Sequence, residues 1–427
     1  MIRPPGPARR LTVGTENAKL AVVKHAILRV LVVSLVLAPV TLRAWDPEPF
    51  RRDDELVGRD FEYSELTFLH HFTYRYRPAL NRAWRRERQG FRTTVGSVRS
   101  DEFYVLEELR KRFQLNDRLL FDFRQKIDED FDGRYDRTLT GFGCRLNRGW
   151  TATVMGDFVA EKENIDAHFE LGWLDAGNRE VQFAVVLPDA VFNRKTEEME
   201  YTDRPLTFFA GGRCLAGSGI EIGAWVNVNP ALELAVPADE LIFSYDQVAA
   251  GGEVLLPLGE AWLLILDAGV EEGSRDWVVS GEQGLTERHF KREHRRLGVT
   301  FERPPGGRLG GWFGARYFGL TEDDHRPQEA ELTGESTREE KMLHAGLTWR
   351  LRDDLLLWPG LYLNFVDNEE DFPLNPDLQD TEDGLFAKVA LPLEFSFGEG
   401  ASVTINQTFR FDEARSGGTD VQVIIPF

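Results

Sequence analysis

The sequence predicts an all-β fold: a closed transmembrane antiparallel barrel of about 18 strands, 16 being the other even count, with short turns on one side and long loops on the other. Three observations predict it. Apolar and polar residues alternate with a period of two through segments of about ten residues, the connections alternate between short and long, and the chain ends on one such segment, "DVQVIIPF" (420–427). A period of two gives a strand one apolar and one polar face, and about ten residues suffice for a tilted strand to cross a bilayer. No stretch beyond residue 44 approaches ~18 uninterrupted apolar residues, so any crossing is made by strands.

Residues 1–44 stand apart. They hold seven Lys/Arg against one acid, Glu16; six of the bases precede the apolar run "VLVVSLVLA" (Val30 to Ala38), which the segment "PVTLRA" follows. This is the order of a secretory signal, expected to be cut after Ala44; the unusual length of its basic part puts the true start near Val22 or Val23. The apolar run is about half of the ~20 residues a spanning helix needs. Losing those seven bases and one acid takes the net charge from −20 to −26, which excludes a binder of nucleic acid or another polyanion.

Residues 45–90 precede the barrel, assigned to 91–427. Within them "LTFLHHFTYRY" (Leu66 to Tyr76) competes for the role of first strand, and residues 77–92 read as a short Arg-rich helix. That segment serves either as a periplasmic lead-in, the preferred reading, or as a plug in the lumen.

The strands follow in order. Phe91 to Val98 and Phe103 to Gln114 come first, then "RLLFDFRQKI", "TLTGFGCRL", "WTATVMGDFVA", "IDAHFELGWL", "REVQFAVVL", "LTFFAGGRCL" and "GIEIGAWVNV". Further on, "MLHAGLTWRL" sets Leu343, Ala345, Leu347, Trp349 and Leu351 against His344, Thr348 and Arg350. "ASVTINQTFRF" sets Val403, Ile405, Phe409 and Phe411 against Ser402, Thr404, Asn406 and Arg410. Short connections at Asp175–Asn178, Ala216–Ser218, Leu258–Glu260, Arg303–Gly307, Arg352–Asp354 and Gly398–Gly400 alternate with long ones. The long ones are 188–203, 229–245, 272–289, 320–339, 367–383 and 412–419. Periplasmic turns are short and external loops long in outer-membrane barrels, whereas a soluble sandwich has no reason to keep that parity.

On the signal peptide, this parity and the terminal "VQVIIPF", the sequence resembles Gram-negative outer-membrane β-barrels of the porin type. No motif selects a narrower family. The resemblance implies a setting of lipid bilayer and lipopolysaccharide, and a terminal Phe427 that serves as the signal read by the barrel-assembly machinery.

Closure gives the barrel a polar inner wall around an aqueous lumen. Alternation places Asp157, Asp166, Glu170, Glu180, Glu221, Glu253, Asp267 and Glu271 inward, with Arg213 the one base among them. On the other side it places Arg292, Arg296, Arg316, Arg350, Lys388, Arg410, Arg110, Arg112, Arg124, Lys126 and Arg145 inward. Fewer acids accompany these: Glu302, Glu394, Asp420, Glu108 and Asp122. An acidic wall opposite a basic one sets a field across the pore that favours small polar solutes. Plain solvated lumen charges, or an arginine ladder for an anionic solute, are the other two readings.

The acidic loops account for the net charge. "DEDFDG" lacks the ligand spacing of a calcium-binding EF-hand loop, so neither metal nor cofactor is expected. None of His168, His289, His294 and His344 has a serine two residues away, and no enzymatic activity is expected. His168, between Asp166 and Glu170, reads as a pairing residue. Cys144 and Cys214 fall on outward positions four strands apart, roughly 19 Å, beyond the ~7 Å Cα limit of a disulfide. Trp150, Trp173, Trp349, Phe158 and Phe397 suit interfacial girdles. In "FYVLEELRKRF" the alternation puts Glu107 and Lys111 outward; this implies a covered, trimer-like interface or a different register. The functional expectation is passive diffusion of small hydrophilic solutes. The alternatives are a channel dedicated to an anionic solute or acidic polysaccharide, and a non-conducting structural or adhesive barrel.

Overall fold

The computed structural model describes residues 89–426 apart from the short stretches 98–102, 131–132, 148, 159–164, 175–179, 192–199, 204–205, 216–218, 237–240, 260, 282–283, 305–306, 379–383, 398–400 and 412–414. Two-residue alternation and frequent turns leave little helical signal. Among the described residues two 3-10 turns, Ala330–Leu332 and Pro376–Leu378, are the only helical elements.

The strands are β1 (Gly90–Ser97), β2 (Phe103–Gln114), β3 (Leu119–Asp130), β4 (Gly133–Arg145), β5 (Trp150–Phe158), β6 (Ile165–Leu174), β7 (Glu180–Val191), β8 (Glu200–Asp203), β9 (Thr207–Leu215), β10 (Glu221–Val236) and β11 (Leu241–Leu258). They continue with β12 (Trp262–Gly281), β13 (Gly284–Arg303), β14 (Leu309–His325), β15 (Gly334–Arg352), β16 (Leu355–Leu357), β17 (Gly360–Asp371), β18 (Gly384–Ala390), β19 (Leu393–Phe397), β20 (Ala401–Arg410) and β21 (Arg415–Pro426). Three pairs are single staves with an interruption. β8 and β9 both pair with β10, β16 and β17 both pair with β15, and β18 and β19 both pair with β20. Proline has no N–H to give a ladder, and Pro359 and Pro392 stand at two of these breaks. The 21 segments therefore make an 18-stave sheet.

The sheet closes. β1 pairs antiparallel with β2 and with β21, Gly90 opposite both Arg110 and Pro426. An even stave count brings both ends of the barrel to the short-turn side. Eighteen strands ~4.8 Å apart, tilted ~40°, close on a radius of roughly 18 Å, wider than two opposed side chains can span.

One face of the ladders carries an apolar belt. Val95, Phe142, Val154, Phe183, Val270, Leu297, Phe313, Leu343, Leu347, Leu361, Phe365, Ile405 and Val421 are all exposed and all outward. On β12 this belt runs from Trp262 to Val270. About nine residues at ~3.3 Å with a ~40° tilt rise roughly 23 Å, the height of a bilayer-facing band. Aromatic pairs mark its short-turn edge: Phe113 and Phe121 (6.0 Å), Phe121 and Phe142 (5.5 Å), Trp150 and Trp173 (6.3 Å), Trp262 and Phe313 (6.0 Å).

Several expectations change. Gly90–Arg92 are strand, not the end of a helix; residues 77–88, the signal segment, Leu66 to Tyr76 and the chain end Phe427 lie outside the described residues. The segments 229–245, 272–289 and 320–339, expected as long connections, are largely ladder. β12 and β13 stay paired from Leu263 and Glu302 out to Gly281 and Gly284. Apolar alternation stops where the bilayer stops, but backbone hydrogen bonding does not. Beyond the belt, cross-strand pairs such as Lys291 with Glu272 (2.9 Å) and Arg288 with Asp324 (2.7 Å) accompany the ladder.

Candidate functional site

The site is the inward wall, and the ladders determine which side chains share it. Following the register from Arg92 round to Gln422, the backbone positions of the twenty-five charged residues expected inward share one face of the ladders. The side chains of Lys126 and Asp157 lie outside the described residues. The acidic group occupies β5 to β12 and the basic group β13 onward through β21 and β1 to β4.

Most of these charges have partners on the wall. Arg112 pairs with Asp122, Arg110 stands 3.6 Å from Glu108, Glu221 pairs with Arg213, and Arg292 with Glu322. Glu271 accepts a hydrogen bond from Gln247 (2.9 Å), which in turn accepts one from Asn229 (2.7 Å). Arg410 is buried with its guanidinium 5.2 Å from the Phe386 ring, and Lys388, Asp166 and His168 are buried as well. Arg145 reaches Gln114 at 3.4 Å near the short-turn rim. Glu180, Glu253, Arg296 and Arg350 are half-buried.

The two walls are tied at both seams. Arg124 on β3 donates two hydrogen bonds to Glu170 on β6, 2.8 and 2.7 Å, across the intervening β4 and β5. Arg316 on β14 meets Asp267 on β12 at 3.3 Å, across β13. The latter contact passes over Gly298, which sits opposite both partners. A Cβ there would stand 2.8 Å from the Asp267 carboxyl carbon, so glycine is what opens the path. The same device recurs at Gly269, where a Cβ would come within 3.2 Å of Cγ of Arg296.

The inner face is not uniformly polar, contrary to the expectation from alternation. Met342, Trp358, Tyr362 and Ala390 form a buried cluster with Trp312, Leu356 and Phe386 packed against it. Ala184, Val186 and Phe209 form a second, and Leu255, Leu263 and Ile265 a third. Thr300 and His344, both buried, bring a hydroxyl and an imidazole to 3.4 Å, a proximity with no counterpart in the spacing of the sequence.

Sequence reading missed inward residues in the segments taken for loops. Arg275, Trp277, Arg288, Asp324 and Arg338 belong to paired strands on the inward register. The signal was present in "ERHFKREHRR", whose two-residue period simply exchanges apolar for charged side chains. Cys144 and Cys214 are free and outward. Glu107 and Lys111 are outward too: β2 pairs Glu107 with Thr93 and Ile127, and Lys111 with Phe123, so the alternative register is eliminated.

A closed ladder whose outer face is an apolar belt and whose inner face carries ions has one stable setting, a bilayer. The chain is a β-barrel of the outer-membrane type. No protein-family model matches it, and no curated protein does. Solved structures similar to it include Pseudomonas aeruginosa OpdQ (11% identity, 79% of this chain and 94% of that one, TM-score 0.39). OccK2 of the same organism, in complex with glucuronate, shares 12% identity over 78% and 96% of the two chains, with a TM-score of 0.38. The outer membrane channel DcaP of Acinetobacter baumannii shares 9% over 78% and 95%, with a TM-score of 0.36. At these scores the barrel assignment rests on the strand ladders themselves.

Proposed function

We propose that this barrel is a channel for passive diffusion of small hydrophilic solutes across an outer membrane. One observation supports the reading: on the inward register acids outnumber bases on β5 to β12 and bases outnumber acids on the remaining strands, around a cylinder its own side chains are too short to fill. Opposed walls orient water and penalise apolar permeants while small polar solutes pass. The seam pairs Arg124–Glu170 and Asp267–Arg316 hold the two walls in place. Catalysis forms no part of the proposal. Short turns face the periplasm, Phe427 serves assembly, and lipopolysaccharide surrounds the long-loop side.

Planar-bilayer recording tests this. Purified protein gives an ohmic current, and charge reversal at Arg296, Arg350 and Arg410 moves its reversal potential toward cations. An unchanged reversal potential in the triple variant rejects the wall assignment.

A second reading is favoured by the depth of burial of inward polar groups: His168, Glu340, Asn364 and Asn406 are each 0% exposed. In that reading the segment before β1 occupies the lumen and the barrel is closed. It predicts no current from the whole chain and current from a variant lacking residues 45–88. For the outward charges Glu107 and Lys111, we propose contact with a second copy of the chain.

A further inference from the structure

On β12, β13 and β14 a single row of the outward face carries a carboxylate and two imidazoles. Asp276 sits opposite His289, and His289 sits opposite His325. All three share the face of Val270 and Leu297, since the even residues of β12 and the odd residues of β13 and β14 point outward. The row stands past Val270, the end of the belt on β12, by roughly 15 Å of rise at ~3.3 Å per residue and a ~40° tilt. Water reaches it there: the His289 and Asp276 side chains are 47% and 48% exposed, and His325 is exposed as well. Spacing in the sequence gave no sign of the row, because its members come from three strands that only the ladders align.

The three side chains divide the work of a metal site. Nδ1 of His289 lies 2.9 Å from a carboxylate oxygen of Asp276. With the Nδ1 proton donated to that oxygen, Nε2 keeps its lone pair for an ion, and the carboxylate orients the ring. The His325 ring lies alongside, its centroid 6.1 Å away and its plane inclined by 21°. Directly opposite residues have Cβ atoms ~5 Å apart, and an ion bound at ~2.1 Å holds two imidazole nitrogens about 3–3.5 Å apart, so the rings reach one ion by tilting together. No group of three donors is set around an ion among the described residues, so water completes the coordination. Neutral imidazoles favour Zn²⁺, Cu²⁺ and Ni²⁺ over Mg²⁺ and Ca²⁺, which take oxygen ligands. The His289–His325 pair is also the outermost rung at which β13 meets β14, so a bound ion staples the end of that ladder.

We propose that His289 and His325 form a two-imidazole site for a divalent transition metal on the outer surface of the barrel, with Asp276 as its positioning residue. The site goes beyond the channel reading and stands whether or not the lumen conducts. Isothermal titration of the detergent-purified protein, stripped with chelator and carrying no histidine tag, compares Cu²⁺, Ni²⁺ and Zn²⁺ with Mg²⁺. At least one transition ion is expected to bind a hundredfold or more tighter than Mg²⁺. His289→Ala and His325→Ala each weaken that ion tenfold or more, whereas replacing His70 and His71, the adjacent pair before β1, leaves its affinity unchanged.

Asp276→Asn weakens binding about tenfold by loosening the His289 ring. The electron paramagnetic resonance of bound Cu²⁺ separates the roles: two nitrogen donors in the wild type and in Asp276→Asn, one in either histidine variant. Thermal unfolding without metal checks that each variant is folded, and His289→Gln and His325→Gln serve where an alanine variant is not. Equal affinity for Mg²⁺, no binding of any transition ion, wild-type affinity in a folded histidine variant, or a single nitrogen donor in the wild type overturns the proposal.

Discussion

Replacing Asp267 by Asn tests how the two charged walls are held together. Asp267 and Arg316 are 3.3 Å apart, and their side chains are 3% and 10% exposed. At that distance the attraction is about 5 kcal/mol for an effective dielectric near 20, against about 1.3 kcal/mol in bulk water. Burial places the pair nearer the first value, but desolvating each ion costs several kcal/mol, so the intact pair contributes little net stability. Breaking it is another matter, because Arg316 then keeps its charge in the wall without this counterion. The contact is longer than the 2.7–2.9 Å of a strong ionic hydrogen bond, so the loss falls near the lower end of the range for such changes, about 3 kcal/mol. Urea unfolding in detergent micelles or vesicles, followed by tryptophan fluorescence, measures it. Asp267→Asn with Arg316→Gln together recovers part of the loss, with a coupling of about 1–2 kcal/mol. Should the two single losses add to the double within ~0.5 kcal/mol, the seam is not a coupled pair and the reasoning fails.

Leu266 is outward and 37% exposed at the centre of the belt, so Leu266→Lys is expected to cost about 2–4 kcal/mol in vesicles, and little when the same barrel is unfolded from water-rich micelles; equal losses in both would remove the belt from the bilayer. Burial alone would raise the Asp324 pKa, but hydrogen bonds and charge from Arg288 and Arg326 outweigh it and hold the carboxyl below its ordinary range. A depressed native pKa means that the stabilisation is complete above the unfolded carboxylate's range and is lost as pH falls through the native value. Amide protection at the outer ends of β13 and β14, taken relative to the intrinsic exchange rate at each pH, should therefore fall in acid, and Asp324→Asn should remove that step. Cys144 and Cys214 should both titrate as free thiols after denaturation without reductant, and a lipid-soluble maleimide should label the reconstituted protein where a charged reagent does not; an intramolecular disulfide by mass would contradict the register.

The faces of the strands were legible because a bilayer imposes a one-dimensional rule. Ile405 and Thr404 can be assigned to opposite sides without knowing what lies beside them, and the ladders place Ile405 out and Thr404 in. The same rule gave the inward charges of Glu170, Asp267, Arg124 and Arg316. It failed at 272–289 and 320–339, where water bathes both faces and apolar alternation gives way to alternating charge while pairing continues. Trp277 and Arg288 were hidden there.

By itself, then, the order of residues determined that the chain is strand, where its short turns fall and which side chains face lipid, since each depends on neighbours one or two positions away. Only tertiary structure decided which inward ions meet. Arg124 and Glu170 are 46 residues apart and Arg316 and Asp267 49, and each pair forms because the ladder registers bring them to one stretch of wall. For Arg316 and Asp267 a glycine on the intervening strand also leaves the space between them empty. Closure of the sheet, which sums eighteen registers, sets those distances, and no local pattern encodes that sum.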